Sequence, residues 1–328
     1  MTSASHLASN RDGGVTARGL GKRFGELWAL RDLDLDVPPG TVLGLLGHNG
    51  AGKTTAIRIL TTLSLPTTGS ASVAGIDVVH DPSKVRSLIG VAAQQATVDG
   101  LLSGPKNLEM FGRLYHLPAN DSRRRAEELI QTLDLADAGD RLVKNYSGGM
   151  RRRLDLAAAL IGSPSVLFLD EPTTGLDPRS RTDLWQILRD LVRDGTTLIL
   201  TTQYLEEADR LADRVVVLDH GRNVASGSPE ELKARIGGDR IDVTVGSEAE
   251  LERAAGALEP FASGTLTTHT EPFLVTAPIK EGTRLIDVVR SLDAAGVEAL
   301  DINHRHATLD DVFLTLTSRQ QSLEEAVP

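Results

Sequence analysis

Short apolar runs alternate with amphipathic stretches along the first two thirds of the chain. Strands are predicted where apolar or β-branched residues run together and end at turn residues: Leu33 to Val37, Val42 to Leu46, Val73 to Ala74, Ile89 to Ala92, Val166 to Leu169, Thr197 to Thr201 and Arg214 to Leu218. Helices are predicted between several of them, at Thr54 to Leu63, Ser122 to Leu133, Gly148 to Ile161, Ser180 to Arg193 and Leu205 to Ala212. This alternation predicts an α/β fold with a largely parallel sheet covered on both faces.

The pattern changes after Ile236-Gly237-Gly238, where shorter elements begin. These are predicted as strand, helix, strand, strand, helix, strand, at Arg240 to Val245, Ala249 to Ala257, Thr265 to Thr270, Phe273 to Ala277, Leu285 to Ala295 and Glu298 to His304. A βαββαβ order is typical of a small ferredoxin-like α+β domain, and a helix at Thr308 to Leu316 would close it. The predicted organisation is a disordered tail (1–14), a first domain (15–235), a second domain (239–318) and a tail (319–328).

Composition narrows the classes of function. The formal net charge of −10 and pI of about 5.3 argue against a general nucleic-acid binder. The chain has no cysteine, which excludes disulfides and thiolate chemistry and fits a reducing compartment. No apolar stretch reaches the roughly 18 residues that cross a bilayer, and the polar N-terminus lacks the apolar core of a signal peptide. The sequence therefore predicts no membrane-spanning segment.

A phosphate-binding loop is predicted directly after the strand that ends at Leu46. Gly47-His48-Asn49-Gly50-Ala51-Gly52-Lys53-Thr54 fits G-x-x-x-x-G-K-[ST]. Its backbone N–H groups can surround phosphate oxygens because glycines allow close approach. Lys53 can reach the β- and γ-phosphates of a bound nucleotide, and the Thr54 hydroxyl can ligate Mg²⁺. Thr55 is placed with them in the predicted nucleotide site.

A carboxylate pair, Asp170-Glu171, ends the apolar run that begins at Val166. Asp170 at the end of a buried strand is suited to hold Mg²⁺, usually through water. Glu171 is suited to act on an attacking water as general base or orienting group. Two acids before a helix can also serve only the helix N-terminus, but the preceding P-loop favours the catalytic interpretation.

A third motif, Ser147-Gly148-Gly149, opens a helix between these two. Taken alone it is a capped helix start with accessible backbone N–H groups. The order P-loop, Ser-Gly-Gly, then an apolar strand ending in Asp-Glu resembles the nucleotide-binding subunits of ATP-binding cassette (ABC) transporters. The resemblance implies a P-loop NTPase fold with a helical subdomain at about 95–160. It also implies a homodimer, or a dimer with a like subunit, in which this motif contacts ATP held by the partner. Tyr146 and Met150 replace the usual leucine and glutamine.

The same resemblance assigns further roles. Phe24 matches the aromatic that stacks on adenine. Gln94 matches the glutamine that joins the magnesium shell and senses the membrane partner, and the strand count favours it over Gln95 beside it. Asp177 matches the carboxylate that links the two sites of the dimer, and it can also cap the helix that follows.

Gln203 departs from the family pattern, which has histidine there to contact the γ-phosphate. A glutamine amide donates a hydrogen bond but carries no charge near pH 7. The expected consequence is hydrolysis with a weaker pH dependence and slower turnover.

The resemblance becomes narrower over residues 15–317. Three stretches, residues 145–155, 202–209 and 308–313, are similar to the ATP-binding subunits of daunorubicin-resistance-type exporters. This implies an ATP hydrolase at the cytoplasmic face of the membrane, peripheral and paired with a multi-spanning permease on a separate chain. Export of a hydrophobic drug or antibiotic is the leading substrate class, and export of a lipid or polysaccharide is its main rival. A soluble mechanical ABC ATPase and a regulatory ATP sensor also stay open. The resemblance also implies that the C-terminal domain supports assembly and regulation. Within that domain, the run Leu309 to Phe313 either serves assembly or packs on its own domain.

Three histidines are predicted to have no chemical role, and the role of one arginine run stays open. His220 is expected in a hairpin turn. His304 and His306 lie close in sequence, but no carboxylate or third histidine stands at ligand spacing, so a metal site is not predicted there. Arg151-Arg152-Arg153 could approach phosphate or the partner, or face water.

Overall fold

The computed structural model describes residues 13–93, 97–139, 141–235, 239–280 and 282–313. The chain divides into two compact units, Met1–Ser226 and Gly227–Pro328. The predicted domain limits at residues 235 and 239 stay predictions. The predicted tails fall almost wholly on residues outside the described ranges.

The first unit alternates strands and helices. Its strands are β1 (Val15–Phe24), β2 (Leu27–Val37), β3 (Val42–Leu46), β4 (Thr68–Val73), β5 (Ile76–Asp77), β6 (Ile89–Ala92), β7 (Val166–Asp170), β8 (Thr197–Thr202), β9 (Arg214–Asp219) and β10 (Arg222–Gly227), which ends at the boundary between the units. Its helices are α1 (Lys53–Leu60), α2 (Pro82–Leu88), α3 (Gly104–Leu114), α4 (Ala119–Thr132), α5 (Gly148–Leu160), α6 (Pro178–Arg193) and α7 (Leu205–Leu211). Short 3₁₀ helices occupy Ala136–Ala138 and Val143–Asn145.

Six strands form the central sheet, in the order β10-β9-β3-β8-β7-β6. The pairs β3–β8, β3–β9, β7–β8 and β6–β7 are parallel, which confirms the predicted α/β arrangement. All residues of β3 and β8 are buried, as a sheet covered on both faces requires. Because parallel strands end at the same edge, the segments that follow β3, β7 and β8 meet there.

A second sheet of this unit was not predicted. It has the order β2-β1-β4-β5 and its strand pairs are antiparallel. Strand β1 alternates apolar and polar residues and contains Gly19 in the left-handed region at φ 54°. Register shifts interrupt its pairing with β2. These irregularities weaken the period-2 pattern from which a strand is predicted.

Helices α3, α4 and α5 pack against one another within the predicted helical subdomain. Leu108, Leu129 and Leu154 are buried, one on each of these helices. Among the described residues, no helix combines the length and the apolar character needed to cross a membrane.

The second unit contains α8 (Pro229–Arg235), β11 (Arg240–Val245), α9 (Glu248–Leu258), β12 (Thr267–Thr270), β13 (Phe273–Pro278), α10 (Leu285–Ala294) and β14 (Ala299–Arg305), with a 3₁₀ helix at Glu259–Phe261. Its sheet has the order β12-β13-β11-β14 with antiparallel pairs. From β11 onward the order of strands and helices is that of a βαββαβ unit. Residues from β11, α9, β13 and α10 form its apolar core.

An ionic cluster joins the last strand of this unit to the residues after it. Arg305 on β14 donates to Asp242 on β11 at 2.6 Å and to Asp311 at 2.6 and 3.2 Å. Residues 309–313 are helical, Thr308 precedes the helix, and residues 314–316 of the predicted helix lie outside the described residues. Leu309 and Val312 are only 2% and 3% exposed. Their burial favours packing on this chain over an assembly surface for the Leu309 to Phe313 run.

Candidate functional site

The P-loop runs from the end of β3 to the start of α1, as predicted. Gly47 has φ 152°, and a Cβ there would lie 2.3 Å from the Leu218 carbonyl oxygen. Gly52 has φ 106°, and a Cβ there would lie 2.6 Å from the Ala29 carbonyl oxygen. Glycine is therefore required at both ends of the loop, because any side chain would meet backbone atoms of neighbouring segments.

Lys53 extends along the inside of this loop. It is 5% exposed, and its Nζ donates to the carbonyl oxygens of Gly47 at 2.6 Å and His48 at 3.0 Å. Burial lowers the pKa of Lys53, while the negative charges of Glu171 and Asp170 act to raise it. The buried ammonium is thus held by two P-loop carbonyl oxygens and feels the charge of the carboxylate pair, a position from which it could donate to a phosphate held in the loop.

Other predicted P-loop residues differ in burial. Ala51 is fully buried, and its N–H donates to the His48 carbonyl oxygen at 3.2 Å. Asn49 and Gly50 are exposed, and Thr55 is half-buried. The exposed part of the loop is where a nucleotide could approach from solvent.

The Thr54 hydroxyl meets Asp170 across the sheet edge. Thr54 Oγ1 donates to Asp170 Oδ2 at 3.4 Å, although 116 positions separate the two residues. Thr201 at the end of β8 donates to the other carboxylate oxygen, Oδ1, at 2.5 Å. A hydroxyl and a carboxylate are hard oxygen donors, the kind that Mg²⁺ prefers.

Glu171 has an unusual backbone conformation. Its φ is 49°, in the left-handed region that non-glycine residues rarely adopt. Its N–H donates to both the carbonyl oxygen and the hydroxyl oxygen of Thr201, each at 3.1 Å. Thr174 Oγ1 donates to Glu171 Oε2 at 3.2 Å. Contacts with Thr201 and Thr174 therefore hold the backbone and the carboxylate in a fixed arrangement.

Arg152 on α5 connects the Ser-Gly-Gly helix to the end of β7. Its guanidinium donates to the carbonyl oxygens of Pro172 at 2.7 Å, Ala93 at 2.8 Å, and Asp170 and Glu171 at 3.0 Å each. Burial lowers the pKa of Arg152, and nearby carboxylates act to raise it. One side chain thus fixes the backbone of Asp170, the predicted magnesium ligand, and of Glu171, the predicted catalytic carboxylate.

Asp155, one turn further along α5, holds a neighbouring segment. It is buried and accepts hydrogen bonds from Thr97 N at 2.9 Å and Thr97 Oγ1 at 3.3 Å. Burial raises the pKa of Asp155, and the hydrogen bonds from Thr97 act against that rise. Arg152 and Asp155 therefore hold the residues on either side of positions 94–96. Gln94, the predicted magnesium-shell glutamine, and Gln95 lie outside the described residues.

The Ser-Gly-Gly motif forms the start of α5. Ser147 is the N-cap and accepts from Met150 N at 3.2 Å. Gly149 lies against α6, since a Cβ there would be 2.9 Å from Ser180 Oγ. A Cβ on Gly148 would meet nothing within 4 Å. Packing within this chain therefore gives no reason for glycine at 148, and the residue is exposed.

Asp177 caps α6, which was one of its two predicted roles. It accepts hydrogen bonds from Ser180 N at 3.0 Å and from Ser180 Oγ at 2.6 Å, and these lower its pKa. Since the residue is exposed, its carboxylate stays accessible to a second molecule.

The remaining predicted residues lie at the surface. Phe24 ends β1, is 56% exposed, and has Lys22 Nζ 5.1 Å from its ring centroid. An exposed ring beside a cation is available for stacking on a flat base. Gln203 is exposed in the turn between β8 and α7.

Two residues of this arrangement were not predicted as site residues. Thr201 is the penultimate residue of the uniformly buried strand β8, and only its pairing with Asp170 in the sheet register distinguishes it. Arg152 is the middle of three consecutive arginines, so the local sequence does not distinguish it from its neighbours.

Comparison with known proteins agrees with this geometry. Residues 30–174 match the ABC transporter family. The chain is 53% identical over 313 residues to the daunorubicin resistance ATP-binding protein DrrA2 of Streptomyces coeruleorubidus, covering 95% of this chain and 97% of that protein. It is 38% identical to the Nod factor export ATP-binding protein I of Ralstonia nicotianae, covering 93% of this chain and 94% of that protein.

Solved structures show the same fold. A dimeric ATP-binding cassette in a post-hydrolysis state, bound to ADP and Pi, superposes with a TM-score of 0.60 at 25% identity, covering 65% of this chain and 98% of that one. The predictions of an ABC fold and of an ATP hydrolase are confirmed. With its P-loop, carboxylate pair and Ser-Gly-Gly helix arranged around one sheet edge, the chain belongs to the ATP-binding subunits of the ABC transporter family.

Proposed function

We propose that this chain is the ATP-hydrolysing subunit of an exporter that drives efflux of a hydrophobic drug or antibiotic through a separate membrane subunit. The observation that carries the ATPase assignment is the 3.4 Å contact of Thr54 with Asp170, next to buried Lys53. The substrate class rests on the 53% identity with a daunorubicin resistance protein over nearly the whole chain.

The P-loop would hold the triphosphate. Backbone N–H groups of residues 47–55 would surround the phosphate oxygens, with the N-terminus of α1 directed at them. Lys53 would exchange its bonds to the loop carbonyls for bonds to the β- and γ-phosphates. Phe24, exposed at the end of β1, would stack on the adenine.

Thr54 Oγ1 and Asp170 Oδ2 would hold Mg²⁺, and Gln94 is the predicted third contributor. When bound, the ion supplies charge neutralisation for the transferring phosphoryl group. Glu171 would orient the attacking water and accept its proton, with its carboxylate held by Thr174. Gln203 would donate its amide N–H toward the γ-phosphate.

Two copies of the chain, or this chain and a like subunit, would close around two ATP molecules. Ser147, Gly148 and Gly149 would contact the γ-phosphate held by the partner subunit, and Asp177 would link the two sites. The open space at Gly148 supports this role, because nothing in the chain itself fills it. ATP binding would close the dimer and hydrolysis would reopen it, and this motion would be transmitted to a permease at the cytoplasmic face of the membrane.

The first test measures steady-state ATP hydrolysis of the wild type and of Glu171→Gln. We expect the variant to lose about 10²- to 10⁴-fold in turnover while still binding ATP and dimerising with it. Glu128→Gln is the matched control, since Glu128 is an exposed α4 residue that pairs with Arg124 and Arg125. Equal turnover in wild type and Glu171→Gln would contradict the proposed role.

The second test identifies the partner. The tagged chain is purified from solubilised membranes of its native cell, and proteins that co-purify are identified. A stoichiometric multi-spanning subunit is expected. Recovery only with ribosomes or DNA-repair proteins would favour a soluble mechanical ATPase instead. Absence of ATP turnover in an assay with the membrane subunit present would favour a regulatory ATP sensor.

Lipid or polysaccharide export is the second candidate, and the 38% identity with a Nod factor export protein favours considering an exported substrate other than a drug. ATP hydrolysis by the chain reconstituted with its membrane subunit distinguishes the two substrate classes. Stimulation of ATP hydrolysis by daunorubicin, but not by a lipid-linked oligosaccharide, supports drug export; the reverse supports the second candidate.

A further inference from the structure

Two histidines and an aspartate converge beside the P-loop. His48 is the second residue of the loop, Asp219 ends β9, and His220 follows it in the turn to β10. His48 Nε2 lies 2.8 Å from Asp219 Oδ1, and His220 Nδ1 lies 3.0 Å from the same oxygen. One carboxylate oxygen thus faces a ring nitrogen of each histidine, although 171 positions separate His48 from Asp219.

The other nitrogen of His48 determines what its Nε2 can do. His48 Nδ1 lies 2.6 Å from the Asn49 carbonyl oxygen, which can only accept, so Nδ1 carries hydrogen. In the neutral ring Nε2 then has a lone pair, and it faces the carboxylate of Asp219. Two acceptors at 2.8 Å repel each other unless a proton or a metal cation lies between them. A ring N–H bonded to a carbonyl is also the usual support of a metal-binding histidine.

The burial of the three side chains suits a site that is open on one side. The side chain of Asp219 is 8% exposed, that of His48 43%, and that of His220 76%. The backbone of His220 has φ 44°, in the left-handed region, and its ring lies edge-on to that of His48 with centroids 5.3 Å apart. The carboxylate therefore forms the floor and the two rings form the rim.

We propose that His48, Asp219 and His220 form a binding site for a divalent transition-metal ion of the Zn²⁺ class. Two imidazole nitrogens and one carboxylate oxygen would ligate it, leaving the remaining position open to water. Nitrogen ligands favour Zn²⁺, Co²⁺ or Ni²⁺ over Mg²⁺, which prefers oxygen.

The two separations from Asp219 need little adjustment. All three ligand atoms lie within 4.8 Å of one another. Ligands about 2.0–2.1 Å from a tetrahedral ion lie about 3.3 Å apart, so the 2.8 and 3.0 Å separations must widen by only a few tenths of an ångström. The ion would connect the P-loop to the turn after β9. It would be separate from the oxygen donors of Thr54 and Asp170.

A second histidine–aspartate group provides the comparison. His304 Nε2 and His306 Nδ1 lie 3.3 and 2.6 Å from different oxygens of Asp239. The contact of Asp239 with these two histidines was not predicted from the sequence. In the described residues, only the group of His48, Asp219 and His220 brings three such ligand atoms together within 4.8 Å. His306→Asn is therefore a matched control for the proposed site.

The test titrates Co²⁺ into the chelator-treated full chain, purified with a tag that lacks histidine, in excess Mg²⁺. Visible absorption reports ligation of Co²⁺ by nitrogen, and Zn²⁺ is then added as competitor. We expect one Co²⁺ per chain, displaced by Zn²⁺. His220→Asn should weaken binding at least tenfold, and His306→Asn should leave it unchanged. Asparagine suits position 220 because it tolerates a positive φ.

Three results would overturn the proposal: absence of stoichiometric binding, displacement of Co²⁺ by Mg²⁺, or loss of binding in His306→Asn but not in His220→Asn. NMR of the histidine ring nitrogens in the wild type tests the site even if a variant fails to fold. Added Zn²⁺ should shift the signals of His48 and His220. Shifts confined to His304 and His306 would assign the metal to the other group.

Discussion

Replacement of Arg152 by methionine tests whether the helix of the Ser-Gly-Gly motif holds the catalytic strand in place. Methionine retains most of the length of the arginine side chain but donates no hydrogen bond. Four carbonyl oxygens, those of Ala93, Asp170, Glu171 and Pro172, would lose their bond to the guanidinium.

The size of the effect follows from the contacts. A hydrogen bond to a charged group contributes about 1.5–3 kcal/mol. The four bonds share one side chain and are not additive, and removal of arginine also ends the cost of burying its charge. We therefore expect the free energy of unfolding to fall by about 3–5 kcal/mol. At about 2–4 °C per kcal/mol for a unit of this size, Tm falls by roughly 6–20 °C.

The assay is thermal unfolding of the full chain by calorimetry, with ATP hydrolysis measured below the transition. Turnover is expected to fall as well, because Asp170 and Glu171 stand on the released backbone. Arg151→Met is the matched control, since the hydrogen bond of Arg151 to the Lys144 carbonyl oxygen is long, at 3.5 Å. A Tm for Arg152→Met equal to that of Arg151→Met would refute the reasoning.

Three further predictions concern other parts of the chain. Gly148→Asp should leave the free energy of unfolding within about 0.5 kcal/mol of wild type, because the space around position 148 is open. The same variant should abolish ATP-dependent dimerisation, which light scattering measures. An intact dimer would contradict the proposed contact. Gln203→His should raise turnover and add a pH dependence near the histidine pKa of about 6.5, and an unchanged rate and pH profile would exclude that role for Gln203. Burial acts to raise the pKa of Asp311, but hydrogen bonds, foremost from Arg305, outweigh it and lower the pKa. Asp311 therefore stabilises the fold above the ordinary aspartate pKa of about 3.9 and loses this contribution as the pH falls below that value. Unfolding measured against pH should show less acid sensitivity in Asp311→Asn, and equal sensitivity would contradict the assignment.

The local motifs could be predicted because their chemistry lies in consecutive residues. The P-loop needs glycine where the backbone has positive φ or approaches another segment, as at Gly47 and Gly52, and these requirements appear directly in the sequence. A buried strand followed by Asp170-Glu171 is likewise visible as an apolar run that ends in two acids. The parallel sheet followed from the alternation of such runs with helices.

The second sheet and the residue partners could not be predicted in this way. Strand β1 has interrupted pairing, so its pattern is weak. Asp239 lies between His304 and His306 only because β11 and β14 are neighbours in the sheet. In the sequence those residues are far apart, and no local spacing indicates their contact.

The sequence by itself determined the kind of chemistry. Residue type and backbone freedom at consecutive positions decide where the chain can bind phosphate and where it offers a hydroxyl or a carboxylate. The tertiary structure decided which groups meet. In the folded chain it is Arg152, the middle one of three adjacent arginines, that donates to the end of β7. In the same way, folding places Asp219 next to His48. The physical reason is that strand order and helix packing set distances between residues far apart in the chain, whereas a local pattern reports only burial and backbone conformation.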